Sequence, residues 1–337
     1  MISPGRNRLF AGGAILGAGL LAAVAGYVRL VRYLSDVAFD RNAPKSAETA
    51  KKKIAGKSEK REFIAILDEA AKKLEESGCE TVTINSSHDG TELTGHLRVC
   101  PKAKRLLIAM HGWRSSWSRD FGTVADAWLD AKCSALFVEQ RGQNASGGEY
   151  MSFGVLERLD CLDWIKWATE NVSSELPVYL VGVSMGATTV LLASGLDLPP
   201  NVHGIIADCG FTSPDAIWRH VMQDNLHLPY YDSLYENLCR ERIGVSAKGI
   251  STTEALKNNR VPVLFAHGTD DKFVPVSMTY ENYRACAAPK WLLIVPGADH
   301  GMSHYVEPER YEKTVKDFFR AYDKVTPAPE VPPESKE

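Results

Sequence analysis

The segment Gly182-Val183-Ser184-Met185-Gly186 places a serine between two glycines. It follows the apolar run 178–181 and precedes the helix-compatible stretch 187–192. A serine on a sharp strand-to-helix turn needs small flanking residues, because the strand and the helix approach each other closely there. The spacing therefore predicts a nucleophile elbow, with Ser184 as the candidate nucleophile and the backbone N–H of Met185 directed into the same site.

A serine hydroxyl is a weak nucleophile near neutral pH, so it needs a general base and a group that orients that base. His300 is the preferred candidate base, because it lies in the turn-rich segment Pro296–Gly301, just after the last apolar run. His304 is the alternative. His300 and His304 also have the spacing of a metal-binding pair, but no glutamate follows His300 and no third ligand is evident. No metal is therefore predicted.

The orienting acid is expected between the serine and the histidine in chain order. Asp271 is the preferred candidate, and it follows the apolar run 263–266. Asp270 is the alternative, because the sequence does not fix the register of this turn. Asp208, after the run 202–207, is a third candidate that we interpret as a turn or cap carboxylate.

An oxyanion hole needs two backbone N–H groups directed at the developing negative charge. Met185 supplies one of them. The second is expected from the loop 111–116, which follows the third apolar run, and Gly112 permits a tight turn in that loop. The amide of Trp113 is therefore the second candidate donor. The side chains of Trp113 and Trp117 either line an acyl pocket or pack in the core.

Apolar runs with strand character alternate with helical stretches between residues 80 and 323. The last six runs are continuously apolar, as in strands buried on both faces, and the first two are close enough to form a hairpin. This pattern predicts an α/β fold with a mostly parallel eight-stranded sheet and helices on both faces. The runs are 81–84, 93–99, 105–110, 135–139, 178–183, 202–207, 261–266 and 291–295.

One gap between runs is too long for a simple crossover connection. About 50 residues, 211–260, separate two successive runs, and they include several aromatic and histidine residues. An insertion here would lie over the carboxyl ends of the strands, where open α/β sheets bind ligands. We predict a helical lid, and the alternative is a helical insertion without a role in binding.

The N-terminal run Leu9–Val28 contains 20 residues without a charge and is flanked by arginines. As a helix it would be about 30 Å long, which matches the hydrocarbon thickness of a bilayer. The preferred prediction is a single-pass membrane anchor. A signal peptide cleaved near Ala23–Ala25 and a buried soluble helix are the alternatives. The basic residues that follow the run slightly favour a cytoplasmic location of the catalytic domain.

These features predict four regions. Residues 1–32 form an anchor or signal segment, and residues 33–79 form a basic tether and an amphipathic helix. Residues 80–325 form the catalytic domain with its lid, and residues 326–337 form a disordered Pro- and Glu-rich tail.

Composition excludes several classes of protein. The chain has 337 residues and a formal net charge of −3, which argues against a broad nucleic-acid-binding surface. Its seven cysteines form no C-x-x-C pair, so a zinc ribbon or disulfide framework is not expected, and the thiols are interpreted as reduced and structural. No G-x-G-x-x-G or Walker loop follows a strand, so no nucleotide cofactor is predicted.

Five motifs in this order resemble those of the α/β-hydrolase superfamily, over about residues 80–323. Within it, the chain is similar to bacterial hydrolases with an N-terminal membrane anchor, related to the serine-aminopeptidase and acyl-esterase branches. The resemblance implies a triad of Ser184, Asp271 and His300, with Trp113 and Met185 as oxyanion donors. The motifs are His111-Gly112, Gln140–Gly148, Gly182–Gly186, Asp271–Pro275 and Gly297–Gly301.

The resemblance is weaker in one loop. Such loops usually read Asp-x-Arg-Gly-x-Gly-x-Ser, whereas here Gln143 and Asn144 stand in a stretch that is usually richer in glycine. The shape of the pocket therefore does not follow from the resemblance.

Together, the residues predict a serine hydrolase that cleaves a carboxylic ester, or an amide or peptide bond, through an acyl-enzyme on Ser184. The expected partners are a small-molecule or peptide acyl substrate and, through the N-terminal helix, the cell membrane. No cofactor and no nucleic acid are expected, and the sequence predicts no oligomeric state. The alternatives are a non-catalytic binding protein with the same fold, or acyl transfer or perhydrolysis by the same triad.

Overall fold

The structure is a computed structural model that describes residues 4–42 and 61–324, with the backbone alone for 4–18 and 61–62. Residues 43–60 of the predicted basic tether and the predicted tail 326–337 lie outside this part of the chain. The described residues contain eight strands: β1 (Glu80–Asn85), β2 (Glu92–Arg98), β3 (Arg105–Met110), β4 (Cys133–Val138), β5 (Val178–Val183), β6 (Val202–Asp208), β7 (Val263–Gly268) and β8 (Lys290–Val295).

All eight strands join one sheet in the order β1-β2-β4-β3-β5-β6-β7-β8. β2 pairs antiparallel with β1 and with β4, and every other pairing is parallel. β3, β4 and β7 are buried along their whole length, as expected for strands covered on both faces. The predicted mostly parallel eight-stranded sheet is therefore confirmed.

Helices cover both faces of this sheet and close two apolar layers. One layer includes Trp164 and Leu191, and the other includes Trp128 and Phe318. The helices are α1 (Pro4–Phe39), α2 (Arg61–Glu75), α3 (Trp117–Phe121), α4 (Ala125–Asp130), α5 (Glu157–Asn171), α6 (Met185–Ala193), α7 (Pro214–His220), α8 (Asp232–Ile243), α9 (Thr252–Lys257), α10 (Val276–Ala285), α11 (Ser303–Val306) and α12 (Pro308–Tyr322).

The insertion between β6 and β7 contains α7, a π-helical turn (Val221–Asn225), α8 and α9. α7, the π-helical turn and α8 contribute to a third apolar cluster, and we call the segment 211–251 the lid. The predicted insertion extended to residue 260, but α9 packs against α6 and α10 beside the sheet. Leu256 of α9 accordingly belongs to one of the two layers on the sheet.

The C-terminal part of α1 packs against the lid. Val31 and Phe39 of α1 are buried in the same apolar cluster as Trp218 and Leu238 of the lid. Phe39 and Trp218 have ring centroids 5.9 Å apart. The predicted boundary at residue 32 therefore falls inside a helix, and residues 33–39 are not a tether.

No helix among the described residues is long and apolar enough to cross a membrane. The predicted span Leu9–Val28 begins among residues whose side chains lie outside that part of the chain.

Candidate active site

Ser184 occupies a sharp turn between β5 and α6. Its backbone angles are φ 55° and ψ −118°, an unusual conformation for a residue with a side chain. The two glycines of the motif make the turn possible. A Cβ on Gly182 would lie 2.3 Å from the carbonyl carbon of Gly186, and a Cβ on Gly186 would lie 1.9 Å from the carbonyl oxygen of Met110. The strand and the helix can meet at this distance only without those side chains.

A chain of two hydrogen bonds joins Ser184, His300 and Asp271. The Ser184 hydroxyl lies 2.8 Å from His300 Nε2, and His300 Nδ1 lies 2.7 Å from Asp271 Oδ2. Because an ionised carboxylate only accepts hydrogen bonds, we assign the proton of the neutral imidazole to Nδ1. Nε2 is then free to accept the hydroxyl proton, which is the arrangement that general-base activation requires.

The carboxylate of Asp271 is held by four donors. Its Oδ1 accepts from the amides of Phe273 (2.9 Å) and Val274 (2.8 Å). Its Oδ2 accepts from His300 and also from His267 Nε2 at 3.0 Å. Burial by itself raises the pKa of this carboxyl group, but the two imidazoles outweigh it and hold the pKa of Asp271 well below its usual range.

Sequence reasoning did not assign this position to His267. Its Nε2 faces two acceptors, Asp271 Oδ2 and the Val274 carbonyl (2.9 Å), so Nε2 carries the proton. Its Nδ1 lies 2.6 Å from the hydroxyl of Thr279, which donates to it in the neutral form. The available signal was its place at the end of β7, four residues before Asp271.

The side chains of the alternative candidates bind other partners, although the backbone carbonyl of Asp208 accepts from the amide of Ser184 at 2.8 Å. The carboxylate of Asp270 is exposed and accepts from the hydroxyl of Thr269 at 2.8 Å. Asp208 is buried near the site, where its carboxylate accepts from the hydroxyl of Ser303 at 2.9 Å. His304 Nε2 lies 3.4 Å from Glu312 instead.

Burial and the Asp271 carboxylate shift the pKa of His300 in opposite directions. Burial lowers the pKa of His300, but the adjacent Asp271 carboxylate outweighs burial and raises that pKa well above its usual value. The ring of Phe273 meets the imidazole edge to face, with the ring centroids 5.0 Å apart. His300 is thus fixed in orientation and made more basic.

The candidate oxyanion loop is held on both sides of Trp113. The amide of Gly112 donates to Asp120 Oδ2 at 2.6 Å, and the amide of Arg114 donates to Gln143 Oε1 at 2.6 Å. Both neighbouring amides are therefore committed to fixed acceptors. These contacts fix the peptide that carries the Trp113 N–H.

The two residues that depart from the superfamily pattern contribute to this support. Besides the Gln143 contact, Asn144 Nδ2 donates to the carbonyl of Ser115 at 2.9 Å. Asn144 has φ 49°, in the left-handed region where glycine is favoured and asparagine is tolerated. Where the superfamily pattern is richer in glycine, this chain thus has two side chains that hydrogen-bond to the candidate oxyanion loop.

The C-terminal end of α1 also contacts the candidate oxyanion loop. The indole Nε1 of Trp113 donates to the carbonyl of Ala38 at 2.8 Å, and Arg114 Nε donates to the carbonyl of Val37 at 2.9 Å. The Arg114 guanidinium also donates to the carbonyl of Asp40. The last carbonyls of a helix lack partners within the helix, so these side chains satisfy them. The sequence did not predict this contact.

The loop after β4 is fixed by a buried ion pair. Arg141 Nε and Nη2 bind the two carboxylate oxygens of Asp160, each at 2.6 Å. Both side chains are more than nine-tenths buried. Arg141 Nη1 also binds Asp89 at 2.7 Å. The bidentate geometry satisfies the charge that burial would otherwise leave unpaired.

Two cavities lie near the candidate active site, and only the larger one borders Ser184. The larger one, about 180 Å³, is bordered by Ser184 and His300 and extends towards Phe63 of α2. The smaller one, about 50 Å³, lies between α1 and the lid, and we call it the α1–lid cavity. Trp113 and Phe273 border both cavities.

Trp113 and Trp117 therefore differ in their surroundings. Trp113 lines both cavities, whereas Trp117 lines neither of them. Trp117 stacks on His96 with ring centroids 4.2 Å apart and packs against Phe137. Its role is to pack in the core.

Among the described residues, potential metal ligands cluster where Cys209, Asp271 and His300 bring ligand atoms within 4.8 Å of one another. The nitrogen and oxygen atoms concerned already bind each other through the His300–Asp271 contact. Burial raises the pKa of the Cys209 thiol to about 11, which keeps it protonated near neutral pH. The Asp271 and His300 atoms of this set are therefore already committed to the hydrogen-bonded chain that ends at Ser184.

The fold and this site define a class of protein. Residues 106–314, more than half of the chain, match the model of the Alpha/beta hydrolase family. The chain belongs to this family.

The relatives extend the comparison. The chain is 30% identical over 193 residues to the uncharacterized protein YqkD of Bacillus subtilis, a match covering 57% of this chain and 63% of that protein. It thus spans less than two thirds of that relative. The fold is similar to that of the Pyrococcus furiosus esterase Pf2001 (TM-score 0.60, 22% identity, 75% of this chain and 95% of that one). It is also similar to Est1E of Butyrivibrio proteoclasticus, solved with ferulic acid bound (TM-score 0.56, 19% identity, 72% and 98%).

Proposed function

We propose that the protein is a serine hydrolase that cleaves carboxylic esters through an acyl-enzyme on Ser184. One observation carries this proposal, namely the hydrogen-bonded chain from the Ser184 hydroxyl through His300 to the buried Asp271. Similar solved structures include esterases, which favours an ester over an amide or peptide bond.

The proposed reaction has two halves. Ser184 Oγ attacks the ester carbonyl while His300 Nε2 takes the hydroxyl proton, and the amides of Trp113 and Met185 stabilise the oxyanion. The C–O bond to the leaving alcohol then breaks, and His300 returns its proton to that alcohol. Water attacks the acyl-enzyme in the same way, which releases the carboxylic acid and restores the Ser184 hydroxyl.

The test is labelling of the folded protein with a fluorophosphonate, a probe that reacts with activated serines. We expect the labelled peptide to contain Ser184, and we expect Ser184→Ala to lose both the label and the turnover of p-nitrophenyl esters. Ser87→Ala, at an exposed serine outside the site, is the matched control and should retain both. A well-folded wild type that takes no label would refute the proposal and favour a binding role. Products formed with added alcohol or hydrogen peroxide would identify acyl transfer or perhydrolysis instead.

We also propose attachment to the cell membrane through the N-terminal helix, which rests on the uncharged run Leu9–Val28 alone. A full-length protein that stays in the membrane pellet after alkaline carbonate extraction would support attachment. Release into the supernatant, or an N-terminus found cleaved near residue 25, would contradict it. Protease accessibility in sealed vesicles would test the expected cytoplasmic side.

A further inference from the structure

We propose that helix α2 limits the size of the substrate, because Phe63 and Leu67 of α2 form one wall of the cavity that contains Ser184. This inference rests on the proposed hydrolase activity and names a substrate class for it, namely esters with one compact apolar substituent, about as large as a single aromatic ring. Helix α2 precedes residues 106–314, which match the family model, so membership of the family does not imply this wall.

The larger cavity connects α2 with the candidate catalytic side chains. Ser184 and His300 border it, and Phe63 and Leu67 border the same space. None of the described lid residues, 211–251, lines this cavity, whereas the lid does line the α1–lid cavity. A substituent of the reacting carbonyl can therefore extend towards α2 within one continuous space, and the predicted lid is not the element that bounds it.

Helix α2 is held closely against α3. A Cβ on Gly122, the residue after α3, would lie 2.6 Å from the carbonyl carbon of Ala70, so the two backbones are in close contact. Leu74 of α2 is only 2% exposed and belongs to the apolar layer on that face of the sheet. The guanidinium of Arg119 also binds the carboxylate of Asp68. Because exposed ion pairs contribute little to stability, the close packing is the main support, and it fixes α2 as a wall of the cavity.

The part of the cavity that α2 forms is apolar and aromatic. The ring of Phe63, which is 5% exposed, meets the ring of Tyr305 edge to face with their centroids 4.7 Å apart. Arg119 and His304 also line the cavity, but each faces a carboxylate of the protein. A charged substituent beside Phe63 would lose water without gaining a hydrogen bond from the ring, which is unfavourable. An apolar substituent removes apolar surface from water instead.

The volume sets the size of this substituent. The cavity of about 180 Å³ is slightly larger than the ~150 Å³ that holds a benzene molecule. It therefore accommodates one aromatic ring with a short link to the carbonyl, and two fused rings would meet Phe63 and Leu67. Because the cavity borders both Ser184 and His300, either the acyl side or the alcohol side of the ester can point towards α2. Each side has its own arm in the test.

The test removes the ring of Phe63 and compares substituents of two sizes. We expect Phe63→Ala to raise the ratio of kcat/KM for a naphthyl-substituted ester to that for its phenyl-substituted counterpart at least about tenfold, since each buried methylene contributes about fourfold and a second ring adds several such groups. The acyl arm uses p-nitrophenyl benzoate and naphthoate, and the alcohol arm uses phenyl acetate and naphthyl acetate. Ile66→Ala is the matched control, because Ile66 lies on the same helix, is 42% exposed and does not line the cavity. It should leave both ratios as in the wild type.

Two further variants test the opposite change and a role of the lid. Leu67→Phe narrows the cavity at a half-buried position. We expect it to lower kcat/KM for p-nitrophenyl benzoate relative to that for p-nitrophenyl acetate at least about fourfold, the effect of one methylene that no longer fits. Val221→Ala changes a lid residue that lines only the α1–lid cavity, so it should leave the naphthyl-to-phenyl ratios as in the wild type.

Each outcome has a distinct meaning. A raised ratio in either arm supports the inference and identifies the side of the ester that faces α2. Ratios that stay at the wild-type value in both arms of folded Phe63→Ala, or an equal rise in Ile66→Ala or Val221→Ala, would overturn it. If Phe63→Ala fails to fold, Leu67→Phe decides alone. Absence of a fluorophosphonate label on wild-type Ser184 defeats the proposed function itself, whereas a labelled enzyme whose rates do not depend on the number of rings defeats only the assignment of α2.

Discussion

Replacing Asp271 by asparagine should disable catalysis through the tautomer of His300. The carboxylate accepts four hydrogen bonds, two on each oxygen. An amide can keep its oxygen towards the Phe273 and Val274 amides only by turning its NH₂ group towards His300 and His267. In the opposite orientation, the NH₂ group would point at the two backbone N–H donors of Phe273 and Val274. The first orientation places fewer donors against donors, and it makes His300 Nδ1 an acceptor.

The consequence for the rate follows from that acceptor. When Nδ1 is unprotonated, the proton of the neutral imidazole lies on Nε2, which then cannot accept the proton of the Ser184 hydroxyl. Wrong-tautomer variants of this kind lose about ten-thousandfold in kcat, which corresponds to about 5 kcal/mol of transition-state stabilisation. We expect a loss of this size for Asp271→Asn with p-nitrophenyl butanoate.

The assay compares two neighbouring carboxylates. Steady-state kinetics of Asp271→Asn and Asp270→Asn should be measured on samples whose folding is checked by circular dichroism. Asp270 is exposed and does not contact His300, so its variant should stay within about twofold of the wild type. A folded Asp271→Asn enzyme that keeps a tenth of the activity would refute the tautomer argument, as would an equal loss in Asp270→Asn.

The other predictions concern pH and stability. His300 must be neutral to accept a proton, and its pKa is raised above the ordinary value of 6.5, so kcat/KM should fall on acidification with a midpoint above pH 6.5; a midpoint below pH 6 would contradict the proposed influence of the carboxylate. Gly186→Ala places a Cβ 1.9 Å from a carbonyl oxygen and should cost at least about 3 kcal/mol in the free energy of unfolding, measured in urea. Gly26→Ala, at an open helical position, should leave the free energy of unfolding unchanged or raise it slightly. An equal change in the free energy of unfolding of the two variants would disprove the steric argument. Arg141→Met breaks a buried ion pair and should cost about 3–5 kcal/mol, whereas Arg320→Met at an exposed pair should cost less than about 1 kcal/mol; similar losses in urea unfolding would show that burial does not decide the cost.

The sheet was predictable because its strands are buried on both faces and so appear as continuous apolar runs. The predicted runs 105–110 and 178–183 coincide with β3 and β5. The run predicted at 135–139 begins two residues earlier in β4, because Cys133 and Ser134 are buried but less distinctive in sequence. The boundaries of the strands depend on such weakly patterned residues, whereas the succession of strands along the chain does not.

The site was only partly predictable. Motif spacing and chain order sufficed to place Ser184 and His300, and the structure brings them together. The choice between Asp270 and Asp271 needed the turn in three dimensions, because adjacent carboxylates differ there in direction and burial. The hydrogen bonds that Gln143 and the end of α1 make with the candidate oxyanion loop join distant parts of the chain, and no local sequence pattern predicts them.

The contact between α1 and the candidate oxyanion loop bears on how the chain can be shortened. Removing everything before residue 61 would be a natural way to obtain a smaller, more soluble protein. Such a chain would lose the carbonyls that Trp113 and Arg114 bind, and it would expose the face of the lid that Phe39 covers. It would keep Ser184, His300 and Asp271, yet one support of the candidate active site would be missing. The C-terminal end of α1 therefore packs as one unit with the lid and the candidate oxyanion loop, and a cut after it removes contacts that support the candidate active site.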